Sequence, residues 1–101
     1  MKIIWSPLAL ERIEEIALYI AEDKPGAAID WVEGVFDAVE RLADFPESGR
    51  IVPELGACRI REVVFGAYRI VYSVKDQIDI LTIRRSNQLL RMSELNGDET
   101  T

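Results

Sequence analysis

The sequence predicts an α+β domain with a helical hairpin packed on one face of a mainly antiparallel sheet, in the order β-α-α-β-β-β. Three observations carry that prediction. Apolar residues recur at helical spacing up to about residue 43, then alternate as in strands from residue 58 onward. The Pro and Gly residues concentrate between those segments. With 101 residues, 49% of them apolar, the chain is long enough for one packed core and too short for two. A single domain is expected over residues 1–95, followed by a frayed tail at 96–101.

Each element has a local reason. "KIIW" at residues 2–5 is short and β-branched, which suits a first strand. Ser6-Pro7 starts a helix: serine caps it, and proline at the first helical position gives up an N–H that had no partner. Ala9, Ile13, Ile16, Ala17 and Ile20 form its apolar stripe. Pro25-Gly26 breaks the pattern. A second stripe then runs through Ala28, Trp31, Val32, Val35, Phe36, Val39, Leu42 and Ala43. Trp31 belongs to the core on this spacing, while Trp5 fits either the core or a partner groove. Residues 44–57 read as a long loop, punctuated by Pro46, Gly49, Pro53 and Gly56. Three strands follow, at 58–64, 68–74 and 78–85. In the second, Tyr68, Ile70, Tyr72 and Val74 take the core face. In the third, Ile78, Ile80, Thr82 and Arg84 alternate against Asp79, Leu81, Ile83 and Arg85. The outer face of the sheet is expected to be partly open. "NQLLRMSEL" at 87–95 is expected to form a short helix or an irregular tail.

Composition narrows the chemistry. The chain has no histidine, which removes the commonest general base, the commonest metal ligand and any Ser-His or Cys-His nucleophile pair. Its one cysteine, Cys58, excludes an internal disulfide and fits a small buried apolar residue. No metal cluster, Gly-rich phosphate loop or other cofactor motif is present, so no cofactor is expected. No apolar run approaches the roughly 20 residues of a membrane helix, and the N-terminus lacks a signal-peptide pattern. A cytoplasmic protein is the expectation.

Charge is unevenly distributed. The net charge is −6, yet residues 1–48 carry four basic and eleven acidic side chains, whereas residues 49–91 carry eight basic and four acidic ones. A basic region of this kind can attract an anionic partner despite the overall sign. Arg59, Arg61 and Arg69 occupy alternate strand positions off the apolar faces, and Arg84 and Arg85 end the last strand. On one shared face such charges repel unless a phosphate or carboxylate partner neutralises them, and the planar guanidinium binds either bidentately. The competing reading is internal pairing with Glu54, Glu62 and Asp79.

These segments together resemble the RelE/ParE superfamily of type II toxins. The resemblance covers nearly the whole chain: "SPLALERIEEIALYIAED" and "AIDWVEGVFDAVERLADFPESGR" resemble its two helices, and "RIREVVFGAYRIVYSVKDQIDILTIRRS" its sheet. The most specific part is Gly66 to Tyr72 followed by "ILTIRR". The resemblance implies a toxin neutralised by a cognate ParD-like antitoxin in a hetero-oligomer. The ParE-like branch would act on DNA gyrase by binding, without turnover. The RelE-like alternative cuts messenger RNA on the ribosome, and would place catalytic roles on Glu54, Arg61, Arg69 and Arg85. The ParE-like reading is preferred, because "SNQLLRMSEL" lacks the Tyr or His-Tyr that RNase-type members carry after the last strand, and because acidity suits an RNA binder poorly. A third possibility is a non-toxic relative that only binds antitoxin. On the preferred reading Arg59, Arg61, Arg69, Arg84 and Arg85 bind partners.

Overall fold

Ser6 starts the first helix as the spacing predicts. In the computed structural model, which describes residues 1–55, 59–91 and 95, the Ser6 hydroxyl accepts from the Ala9 amide at 3.0 Å. The same hydroxyl donates to the Leu81 carbonyl at 2.9 Å, fixing the helix start to the sheet. Strand β1 (Ile3–Trp5) precedes it, and helix α1 runs from Pro7 to Asp23. Helix α2 (Pro25–Glu40) follows after a single residue. The break is Lys24, in an extended conformation (φ −140°, ψ 94°), because the ring of Pro25 disfavours a helical residue before it. Gly26 lies inside α2 rather than in the break. A 3₁₀ turn, Arg41–Ala43, ends the hairpin.

The sheet has five strands in the order β1-β5-β4-β3-β2. β3 (Ile60–Phe65), β4 (Tyr68–Val74) and β5 (Ile78–Arg85) form an antiparallel meander. β1 lies parallel to β5, and β2 (Arg50–Ile51), inside the expected long loop, pairs antiparallel with β3. Gly66, with φ 61°, takes the first position of the two-residue β3–β4 turn, where a hairpin of matching twist needs positive φ. The two edge strands are short, which limits edge-to-edge pairing.

The core lies between hairpin and sheet. Tyr72, Leu42, Ile70, Ile78, Ile80, Ile83, Val35 and Val39 are fully buried there, each aliphatic side chain contributing about 1.5–3 kcal/mol. Trp31 is buried among them and packs edge-on to Tyr68. Trp5 is half-buried against the same core, its ring 4.9 Å from that of Phe36, so its place is packing rather than an open groove. Gly34 lets α2 approach β3: a Cβ there would meet the Phe65 ring at 2.2 Å.

One expectation needs correction. A β-bulge lies opposite Val71 and Tyr72, where Thr82 and Ile80 are their partners and Leu81 is the extra residue. The alternation therefore changes phase within β5, and Ile83, not Thr82, joins Ile78 and Ile80 in the core. The outer sheet face is partly open, as expected, with Val64 exposed on it. Val52, Ile60, Val71 and Leu90 form a second buried cluster on it, covered by residues 50–55 and 86–91. Residues 87–91 are not helical. Residues 92–94 of the expected short helix or irregular tail, the frayed tail at 96–101, and Cys58 lie outside the described residues.

Candidate functional site

Strand register decides where the arginines go. Arg61 opposes Tyr72 across β3 and β4, and Arg85 opposes Tyr68 across β4 and β5. Both therefore sit on the helix-facing side of the sheet, towards opposite ends. Arg69 opposes Val64 and Arg84, which places Arg69 and Arg84 on the outer face. The arginines do not form one strip.

Arg69 is the least exposed of them, at 3%. Its Nη1 donates to Glu62 Oε1 at 2.8 Å, and its Nη2 donates to Glu54 Oε2 and to the Gln88 carbonyl. Glu62 is itself buried, and its other oxygen accepts from Arg50 Nε at 2.5 Å. Glu54 Oε2 also accepts from the Leu90 amide at 3.2 Å. The result is a junction of two carboxylates and two guanidinium groups that ties β2, β3, β4, the loop and the segment after β5 together. For Arg69 the internal-pairing alternative holds, with Glu62 and Glu54 as partners and not Asp79. Asp79 instead accepts from Gln77 at 2.9 Å.

The electrostatics follow from that geometry. The hydrogen bond from Arg69 holds the Glu54 carboxyl down at about 2, from an ordinary 4.5, and outweighs the opposing effect of burial. Burial disfavours the charged Arg69 guanidinium, but its bonds to Glu54 and Glu62 more than offset this and raise its pKa. A carboxylate held so low is a weak base, so Glu54 is poorly suited to take a proton from a ribose hydroxyl. Its folded pKa lies below the unfolded one, so its stabilisation is complete above pH 4.5 and is lost as pH falls towards 2. With part of the side chain facing solvent, this amounts to about 1–2 kcal/mol. Urea unfolding at pH 6 and pH 3 should show the gap between wild type and Glu54→Gln shrinking by roughly half of that amount or a little more. An equal gap at both pH values would remove Glu54 from the acid response.

The remaining basic residues are disposed differently. Arg59 is exposed at the start of β3. Arg61 donates to the carbonyls of Gly49 at 2.8 Å and Glu47 at 3.4 Å, and so braces the loop. Arg84 and Arg85 line a groove of about 430 Å³ between α1 and the end of β5, together with Tyr19, Tyr68 and Gln88. Arg85 lies 5.7 Å from the Tyr68 ring centroid, within reach of a cation–π contact. Gln88 also lines the groove, and its Oε1 accepts from Arg84 Nε at 3.2 Å and from the Arg85 amide at 3.3 Å. Sequence reasoning missed Gln88 and Tyr19. Glu62 did carry a signal, as a charged residue in the apolar alternation of β3. No group of three or more potential metal-ligating side chains occurs among the described residues, and no helix there is long and apolar enough to cross a membrane.

Known proteins give the same grouping. A chromosomal ParDE toxin–antitoxin structure from P. aeruginosa superposes with a TM-score of 0.69, covering 84% of this chain and 95% of that one at 22% identity, a likeness of fold. A curated protein of Sinorhizobium fredii, named "Putative toxin Y4kP", is 37% identical over 90 residues, 86% of this chain and 90% of that one. The family model described as the ParE toxin of the type II toxin–antitoxin system parDE matches residues 3–90. With helical hairpin, sheet and terminal arginines all inside that match, the chain belongs to the ParE toxin family of type II toxin–antitoxin systems.

Proposed function

We propose that this chain is a toxin that inhibits DNA gyrase by binding and is neutralised by a cognate ParD-like antitoxin in the cytoplasm. The observation that carries the reading is the Glu54–Arg69–Glu62 junction. The arginine and carboxylate that an RNase mechanism would use are engaged with each other, one buried and the other held ionised. A chain without histidine has few other candidates for a base. Of the five arginines, Arg84 and Arg85 in the groove and the exposed Arg59 remain for a partner. Two arginines beside two tyrosines and Ile16 suit a segment carrying both carboxylates and apolar side chains, as expected of an antitoxin tail. Arg69 is withdrawn from that surface, and Arg61 is occupied with the loop.

The test is a pulse-label after induction in bacteria, following DNA and protein synthesis together. DNA synthesis should fail first while translation continues. Protein synthesis stopping within minutes, with DNA synthesis lagging, would replace this reading with a ribosome-dependent RNase. Growth unaffected by either measure would leave antitoxin binding as the chain's activity.

A further inference from the structure

Residues 86–91 form a strap without regular secondary structure, anchored at its start by the Ser86 amide on the Ala67 carbonyl at 2.9 Å and held further on at three points. Leu90 is buried in the outer-face cluster with Val52, Ile60 and Val71. Its amide donates to Glu54, and the Gln88 carbonyl accepts from Arg69. Leu89, beside it, is 76% exposed, so the strap is pinned by one apolar side chain and by the ionic junction. The Gln88 side chain points the other way in the hydrogen-bond network. It meets Arg84 Nε and the Arg85 amide, and it lines the groove beside α1. One residue thus bonds through its backbone to the Arg69 junction, and through its side chain to Arg84, the neighbour of Arg69 across β4 and β5, and to the Arg85 amide at the groove.

We propose that Gln88 links the two places, so that closure of the strap on Arg69 and the arrangement of Arg84 and Arg85 in the groove form one two-state element. The closed state has both sets of Gln88 bonds. Loss of the Glu54 carboxylate removes the acceptor of the Leu90 amide and leaves the Gln88 carbonyl on Arg69 as the strap's remaining bond to the junction. Arg69 is not orphaned by this, because Glu62 stays on Nη1 at 2.8 Å. The opening therefore avoids leaving a buried charge alone, the step that would otherwise forbid it. When Gln88 lifts, Arg84 loses one acceptor at Nε and the Arg85 backbone amide loses its bond to the same oxygen. The coupling is reciprocal: whatever reorders these two arginines must also bias the strap. Segments held by few buried contacts are where such local opening occurs. The link is a property of the isolated chain and stands apart from the choice of gyrase as target.

The experiment is NMR on the full chain, comparing wild type with Glu54→Ala. It reads hydrogen exchange at the Leu90 amide and the Nε–H resonance of Arg84. Glu54→Ala should lower Leu90 protection about tenfold or more. It should also move the Arg84 resonance well beyond that of Arg41, which lies on the far 3₁₀ turn. Amides of Val71 and Ile80 should keep their protection, which separates strap opening from unfolding. In Gln88→Ala/Glu54→Ala, compared with Gln88→Ala alone, the Arg84 response should disappear. Unchanged Leu90 protection, or a loosened strap with Arg84 unmoved, would overturn the link. If Glu54→Ala unfolds the sheet, Leu90→Ala serves instead, since it opens the strap with every charge in place. Arg84 must then move, or the proposal fails.

Discussion

Arg69→Met is expected to lower stability by about 3–5 kcal/mol, the cost of removing one partner from a buried ion pair. Glu62, 1% exposed, would keep only Arg50, whose own side chain is 65% exposed. Glu54 would lose the donor that holds its carboxyl near 2, and the Gln88 carbonyl would lose its donor too. For a domain of this size each kcal/mol shifts the thermal midpoint by about 4–8 °C, so the fall should be at least about 12 °C. Arg69→Lys should recover little, because one ammonium cannot reproduce a planar fork reaching two carboxylates. The diagnostic comparison is Arg69→Met/Glu62→Leu, which removes both buried charges. It should be less damaging than the sum of the single changes, since a well-packed apolar pair can replace a buried ion pair. Urea unfolding of the four proteins checks this. A loss below about 1 kcal/mol for Arg69→Met would mean that the junction is only a surface contact.

That junction also marks where sequence reasoning stopped. The helices were legible because Ser6, Pro7 and Pro25 punctuate two clear apolar stripes, and helix period survives without knowledge of any partner. The strands were legible one at a time. Alternation tells which residues of a strand share a face, but only register tells which faces of neighbouring strands coincide. Arg61 and Arg69 were expected together, yet pairing of Arg61 with Tyr72 and of Arg69 with Val64 puts them on opposite sides. The bulge at Leu81 was hidden for a similar reason. Thr82 is as plausible as Ile83 at an inward position until the Ser6 hydroxyl, 75 residues earlier, is seen on the Leu81 carbonyl. Glu54 was expected as a base because it lies in the right loop. Its bond to Arg69 spans 15 residues of chain and depends on how the loop folds back. The groove was half legible: Arg84 and Arg85 stood out as charges, but Gln88 and Tyr19 carry no pattern of their own.

Gly49→Ala should cost about 2–4 kcal/mol, although it adds a single methyl group in a segment that reads as loop. The added Cβ would lie 2.5 Å from the Glu62 carbonyl oxygen and 2.6 Å from the Tyr72 hydroxyl. Neither neighbour can yield easily. The first belongs to the backbone of β3, which is paired on both sides by β2 and β4. The second is the tip of a fully buried tyrosine, whose hydroxyl accepts from the Gly49 amide at 3.0 Å and donates to the Pro46 carbonyl at 2.9 Å. Desolvation in this position raises the Tyr72 pKa, so the hydroxyl remains a donor throughout the neutral range. The loop must therefore move, and moving it breaks both Tyr72 bonds and the Arg61 bond to the Gly49 carbonyl. Gly26→Ala is the matched control: a Cβ there meets nothing within 4 Å, and the site lies in the first turn of α2. It should be neutral or stabilising by up to about 1 kcal/mol, through reduced freedom of the unfolded chain. Denaturant midpoints of the two variants should thus move apart. If Gly49→Ala unfolds at the wild-type midpoint, close packing on Tyr72 does not hold residues 46–50, and the position of Glu54 must be set by its bonds to Arg69 and the Leu90 amide.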